Sequence, residues 1–131
     1  MKKHLLAVLG YLFASFGIQA SSHFGVFASH YAEVTFQRTE PIFAFGVLSM
    51  LIQGTILSWA HQRFQINTLR DSLRLCWAFG LFLVSYIGLA EAAKYNIPSI
   101  PSWIGIEFLV GFFQFSLAGV FLNLAHAGPK K

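Results

Sequence analysis

One stretch of the sequence limits the possible folds more than any other. Residues 73–95 (LRLCWAFGLFLVSYIGLAEAAKY) form a long apolar segment that carries Glu91 and Lys94 near its far end. The hydrocarbon core of a bilayer is about 30 Å thick, so roughly 20 helical residues cross it. The segment is therefore predicted to be a membrane-spanning helix, and we expect the rest of the chain to pack beside it.

The composition supports the same class of protein. Of 131 residues, 56% are hydrophobic and 11% are charged, whereas charged residues make up about 25% of soluble domains. The single cysteine, Cys76, excludes an internal disulfide and a CxxC redox pair. The formal net charge of +4 comes from basic residues between apolar segments, where membrane topology and anionic headgroups account for it. No nucleic-acid partner is predicted.

Four apolar segments predict four spans, at about residues 5–22, 41–60, 73–95 and 103–126. The basic start MKKH and the small residue Ala20 also fit a cleaved signal peptide, which is the alternative to the first span. An uncleaved span is favoured because apolar character resumes at Phe24. We expect one domain, residues 1–131, folded as an all-α integral membrane four-helix bundle.

The connection between the first two spans, residues 21–40, has its own periodic pattern. Phe24, Phe27, Tyr31 and Val34 recur at helical spacing. This spacing predicts a short amphipathic helix that lies at the membrane interface or caps the bundle.

The distribution of lysine and arginine predicts the orientation. Seven of them fall on one side of the predicted spans: Lys2, Lys3, Arg63, Arg70, Arg74, Lys130 and Lys131. The other side has Arg38 and Lys94. Because cytoplasmic loops are enriched in basic residues, both termini are predicted to be cytoplasmic.

Polar residues gather on the predicted outer side. The candidate cluster there consists of His30, Arg38, Glu91, Lys94 and Glu107. One interpretation is ion pairing, with Glu91 and Lys94 on neighbouring turns and Glu107 bonded to Arg38, Lys94 or a histidine. The other is a pocket for a polar headgroup, a small solute or a proton.

Two glutamines, Gln53 and Gln114, lie inside the predicted second and fourth spans. An amide in lipid needs a hydrogen-bonding partner, so we expect the two to form a polar core and to bond across it. The favoured role is structural, and a polar transport path is the alternative.

A metal site is the alternative that would make the protein an enzyme or a redox subunit. His23, His30 and Glu33 are its candidate ligands, because their spacing puts histidine and carboxylate on one helical face. The favoured hypothesis has no cofactor and no enzymatic activity, and it leaves metal or haem to this alternative. The other histidines, His4, His61 and His126, are expected to be isolated and solvated at the cytoplasmic boundary.

Three strings carry a family resemblance: RTEPIFAFGVLSMLIQG from Arg38, EAAKYNIPSIPSW from Glu91 and FQFSLAGV from Phe113. With them the chain resembles small four-span bacterial inner-membrane proteins of unknown function. The resemblance implies a bacterial inner-membrane location and no known chemistry. The first span lacks the embedded glutamate of small multidrug exporters, and the chain lacks the cysteines of quinone-dependent thiol oxidoreductases.

The sequence thus favours a non-enzymatic small membrane protein. Its outer polar cluster is predicted to bind a lipid or small solute or to support a membrane complex. The expected partners are membrane lipids and a second copy of the chain or another membrane protein.

Overall fold

The computed structural model describes residues 1–34, 38 and 40–127, and within these ranges the chain is helical without a strand. The α-helices are α1 (Lys2–Ser21), α2 (Ala28–Ala32), α3 (Phe43–Arg63), α4 (Leu69–Ser85), α5 (Ala92–Lys94) and α6 (Ile100–His126). Two π-helical turns, Ser22–Val26 and Tyr86–Glu91, extend α1 and α4. A π turn inserts an extra residue into a helix and changes the direction of its side chains.

The predicted all-helical class is confirmed. Four continuous helical stretches are long and apolar enough to cross a membrane: Lys2–Val26, Phe43–Arg63, Leu69–Lys94 and Ile100–His126. Each begins or ends a few residues away from the predicted span. The third starts earlier than predicted, because the Thr68 side chain caps it by accepting a 3.1 Å hydrogen bond from the Asp71 backbone N–H.

Helix α6 lies centrally, since it packs against both α1 and α4, and α1 also packs against α3. Helices α3 and α4 contact each other only sparsely. Close approach of α4 and α6 depends on glycine: a Cβ atom on Gly80 would lie 2.6 Å from the Phe115 ring, and one on Gly111 would overlap with Val84. The sparse contact between α3 and α4 leaves a gap on that side of the molecule.

The helices alternate in direction, so the two chain termini meet. Lys3 at the start of α1 donates a 3.1 Å hydrogen bond from Nζ to the carbonyl of His126 at the end of α6. We call this end of the molecule the terminal end. The opposite end, where α1 leads into α2 and where α6 begins, is called the cap end.

The segment after α1 differs from the predicted amphipathic helix. Helix α1 continues through the π turn to Val26, the chain bends at Phe27 (φ −116°, ψ 23°), and α2 is a single short helix. Tyr31 and Val34 are buried against Ala92, Ile97 and Trp103, whereas Phe24 stays exposed. The segment therefore covers the cap end, one of the two predicted roles. The rest of the predicted connection, residues 35–37 and 39, lies outside the described residues.

Candidate functional site

A cavity of about 700 Å³ opens at the cap end between α1, α3, α6 and the π turn after α4. Its polar lining residues are Gln19, His23, Arg38, Ser49, Gln53, Glu91, Glu107 and Gln114. Its apolar lining residues include Phe16, Phe24, Phe43, Val47, Met50, Leu83, Ile87 and Trp103. We call it the amphipathic cavity, because polar groups and apolar walls share one space of the size that small molecules occupy in proteins.

The two π turns supply part of this lining. His23 and Phe24 come from the turn after α1, and Ile87 and Glu91 come from the turn after α4. Such turns recur at functional sites because they redirect side chains that a regular helix would aim elsewhere. Here they bring an imidazole and a carboxyl group to the same cavity.

A network of glutamines and hydroxyls adjoins the cavity, and its three glutamines line it. Gln19 Nε2 donates to Gln114 Oε1 at 2.7 Å, and Gln114 Nε2 donates to Ser15 Oγ at 3.0 Å. The Tyr11 hydroxyl donates to Gln53 Oε1 at 2.6 Å and lies 3.4 Å from Gln114 Nε2. The predicted direct bond between Gln53 and Gln114 is thus replaced by a link through Tyr11, whose ring spans the distance between α3 and α6.

Glu107 is bonded to the cap segment. The Tyr31 hydroxyl donates a 2.8 Å hydrogen bond to Glu107 Oε1, and the ring of His23 stacks on Tyr31 with centroids 3.7 Å apart. Burial, and the nearby Glu107 carboxylate, raise the pKa of Tyr31 above its usual value, so the phenol keeps the proton that it donates. Glu107 lines the cavity. Within the described part of the chain, no hydrogen bond reaches its second carboxylate oxygen.

The five residues of the predicted outer cluster do not all share one site. Arg38, Glu91 and Glu107 line the amphipathic cavity. Lys94 instead donates a 3.3 Å hydrogen bond to the Tyr86 hydroxyl and lies 4.9 Å from the centre of that ring. The expected ion pairs do not form in the described ranges, where Asp71 and Arg74 make the one salt bridge within 4.0 Å.

His30 is also outside the cavity. Its ring centroid lies 6.0 Å from that of Trp103, and its Nε2 is buried without a hydrogen-bonding partner among the described residues. The proposed metal ligands do not converge, because among the described residues no three histidine, cysteine or acidic side chains form a group that could hold a metal ion. Glu33 is exposed at the end of α2.

The histidines at the terminal end are neither isolated nor uniformly solvated, contrary to expectation. Ser58 Oγ lies 2.8 Å from His4 Nδ1 and 3.0 Å from His126 Nε2. His61 is 2% exposed, stacks on His126 at 4.5 Å and lies 2.8 Å from Ser72 Oγ through Nε2. The cluster joins α1, α3, α4 and α6 at this end.

Sequence reasoning missed Tyr31 and Tyr11 as partners of the buried polar groups. Tyr31 belonged to a pattern that predicts an apolar face, and Tyr11 lies in an otherwise apolar helix. For the histidine cluster the sequence did contain a signal, since the predicted topology placed His4, His61 and His126 at the same boundary.

Comparison of the chain with protein-family models, with curated proteins and with solved structures finds no match.

Proposed function

We propose that the four long helices insert into a bacterial inner membrane as a four-helix bundle, with both termini in the cytoplasm. Large apolar side chains on each helix support insertion, because Phe13, Phe45, Phe82 and Phe113 are all more than half exposed and would be costly in water. The orientation is supported by the basic residues at the terminal end, which are Lys2, Lys3, Arg63, Arg70 and Arg74 in the described ranges.

We further propose that the protein is not an enzyme and that its amphipathic cavity binds an amphipathic small molecule, of the kind that membrane lipids represent. The observation that carries this proposal is the composition of the cavity wall. Two carboxyl groups and three glutamine amides share the lining with aromatic and aliphatic side chains. A purely polar solute would leave the apolar walls wet, and a pure hydrocarbon would leave buried polar groups without partners.

A place for a hydrocarbon chain adjoins the cavity. An apolar groove of about 190 Å³, lined by Ile56, Leu57, Phe79, Phe82, Phe115 and neighbouring residues, runs between α3 and α4. The groove and the cavity share Gln53 and Leu83 as lining residues. In the proposed orientation the ligand's headgroup lies toward the outward-facing surface of the inner membrane. Its hydrocarbon chain extends through the gap between α3 and α4 toward the bilayer centre.

The cavity can be filled by one substitution. Gly46 lines it, and a Cβ atom at this position would meet nothing within 4 Å. Gly46→Phe should therefore occupy the cavity without disturbing the helix contacts. Gly17→Phe is the matched control, because a Cβ at Gly17 also meets nothing within 4 Å and Gly17 does not line the cavity.

The test is native mass spectrometry of the full chain, reconstituted in vesicles of phosphatidylethanolamine and phosphatidylglycerol and extracted in mild detergent. We expect one retained lipid in the wild type and in Gly17→Phe, and loss of that lipid in Gly46→Phe. Absence of bound lipid from the wild type, or equal retention in Gly46→Phe, would overturn the proposal. The same spectra give the number of subunits.

A further inference from the structure

We infer that the amphipathic cavity selects a headgroup with a protonated amine. This inference rests on the proposed function, and it names the chemical class of the ligand. It follows from two features of the polar groups that line the cavity, namely their charges and the acceptor oxygens that receive no hydrogen bond.

The first feature is charge. Glu91 and Glu107 both line the cavity, and Arg38 is the one lysine or arginine among its described lining residues. Arg38 is exposed, and no salt bridge within 4.0 Å joins it to either carboxyl group. A carboxylate that faces a largely apolar space is stabilised by a cation close to it.

The second feature is hydrogen bonding. Three donors of the network are directed at protein acceptors: Tyr11 donates to Gln53, Gln19 to Gln114, and Tyr31 to Glu107. Among the described contacts, Glu107 Oε2 and Gln19 Oε1 receive no hydrogen bond. An ammonium group carries three donors and no acceptor, so it matches these unused oxygens.

The walls fit the same ligand. Trp103, Phe24 and Phe43 line the cavity with Glu107, and aromatic faces attract ammonium groups, most strongly where water is excluded. A headgroup of net negative charge, such as a carboxylate, would find one cation in the lining, Arg38, and two groups of its own sign of charge, Glu91 and Glu107. The geometry thus favours a cationic headgroup over an anionic one of equal size.

The decisive variant is Glu107→Gln. An amide of the same shape still offers an oxygen to the Tyr31 hydroxyl, so the cap segment stays bonded while the carboxyl group is removed. Glu33→Gln is the matched control, because Glu33 is an exposed carboxyl group at the same end that does not line the cavity.

The experiment uses native mass spectrometry of the full protein chain in maltoside detergent. It measures the binding of three probes that share one alkyl chain length, namely dodecylamine, dodecanol and dodecanoate. Charge-assisted hydrogen bonds are roughly twice as strong as neutral ones. We therefore expect the dissociation constant of the amine to be lower than that of the alcohol by about tenfold or more. Glu107→Gln should remove this preference, and Glu33→Gln should keep it.

Equal binding of alcohol and amine, preferred binding of dodecanoate, or an unchanged preference in Glu107→Gln would overturn the inference. If dodecanol binds as well as the amine and Gly46→Phe abolishes both, the headgroup inference fails while the proposed function stands. If none of the probes binds in a way that Gly46→Phe reduces, the proposed function fails as well.

A competition arm separates two sources of the amine. Lysophosphatidylethanolamine carries a primary amine on a membrane lipid, and dodecylamine represents an amphiphilic amine that arrives from outside. Displacement of dodecylamine by the lysolipid identifies a lipid of the membrane as the ligand class. Retention of dodecylamine in its presence identifies free amphiphilic amines.

Discussion

The hydroxyl of Tyr31 donates a 2.8 Å hydrogen bond to Oε1 of Glu107 and so connects two residues that are 76 positions apart. Tyr31 is 4% exposed and Glu107 is 6% exposed, so neither group can exchange this partner freely for water. The bond attaches the short helix α2 to the central helix α6. It occupies one carboxylate oxygen of Glu107, a residue that lines the amphipathic cavity.

Tyr31→Phe should destabilise the protein because it removes the donor and keeps the ring. A buried acceptor that loses its partner costs about 1–3 kcal/mol, so the midpoint of thermal unfolding in detergent should fall. Tyr86→Phe is the control, since Tyr86 is 54% exposed and its hydroxyl accepts one hydrogen bond among the described residues, from Lys94. Equal unfolding midpoints for Tyr31→Phe and the wild type would show that the bond does not contribute to stability.

Gly80→Ala should loosen the contact between α4 and α6. The added methyl group would lie 2.6 Å from the Phe115 ring and 3.0 Å from its Cβ, and overpacking of this kind costs about 1–3 kcal/mol. Gly105→Ala should be neutral or slightly stabilising, because nothing lies within 4 Å of its Cβ position and alanine is the better helix former. Thermal unfolding of both variants measures the difference. A Gly80→Ala variant as stable as Gly105→Ala would rule out the close helix contact.

Ser58→Ala should weaken the terminal end. The hydroxyl of Ser58 is 0% exposed and lies within 3.0 Å of ring nitrogens on His4 and His126. Its removal deprives two part-buried imidazoles from different helices of a partner, and we expect the free energy of unfolding to fall by about 0.5–1.5 kcal/mol. Ser85→Ala is the control, because its hydroxyl donates only to the carbonyl of Phe82 in the same helix. Hydrogen exchange of the amides near His126 should rise in Ser58→Ala and stay unchanged in Ser85→Ala.

Cysteine labelling tests the proposed orientation. The native Cys76 is 0% exposed, so new cysteines can be introduced without removing it. A membrane-impermeant maleimide added to intact spheroplasts should label Asn96→Cys, at the cap end. It should not label Asn67→Cys, between α3 and α4. Permeabilisation should then expose Asn67→Cys. Labelling of Asn67→Cys in intact spheroplasts would reverse the proposed topology.

The helices were predictable because their signal is local. Residues 73–95 are apolar over a length that fits a bilayer, and the structure has a continuous helical stretch at Leu69–Lys94. That Glu107 would have a partner was also predictable, since an isolated carboxyl group in an apolar helix needs one. The identity of that partner was not, because arginine, lysine, histidine and tyrosine can all donate to a carboxylate.

The predicted contact between Gln53 and Gln114 shows a similar limit. Both amides need partners in an apolar environment, and both have them, but the link passes through Tyr11. Whether two side chains meet depends on the distance and rotation between helices. Gly54, where an added Cβ would lie 3.2 Å from Tyr11, helps to set that spacing for α1 and α3.

The sequence by itself determined the number of long apolar helices and the ends at which the charged residues lie, because hydrophobicity and helix length act along the chain. Only the tertiary structure decided which polar groups share a space. The π turns place His23 and Glu91 at one cavity, the sparse contact of α3 with α4 leaves that cavity and its groove open, and the return of α6 to α1 brings His126 to His4. These relationships depend on packing between helices far apart in the chain, which no local pattern of residues specifies.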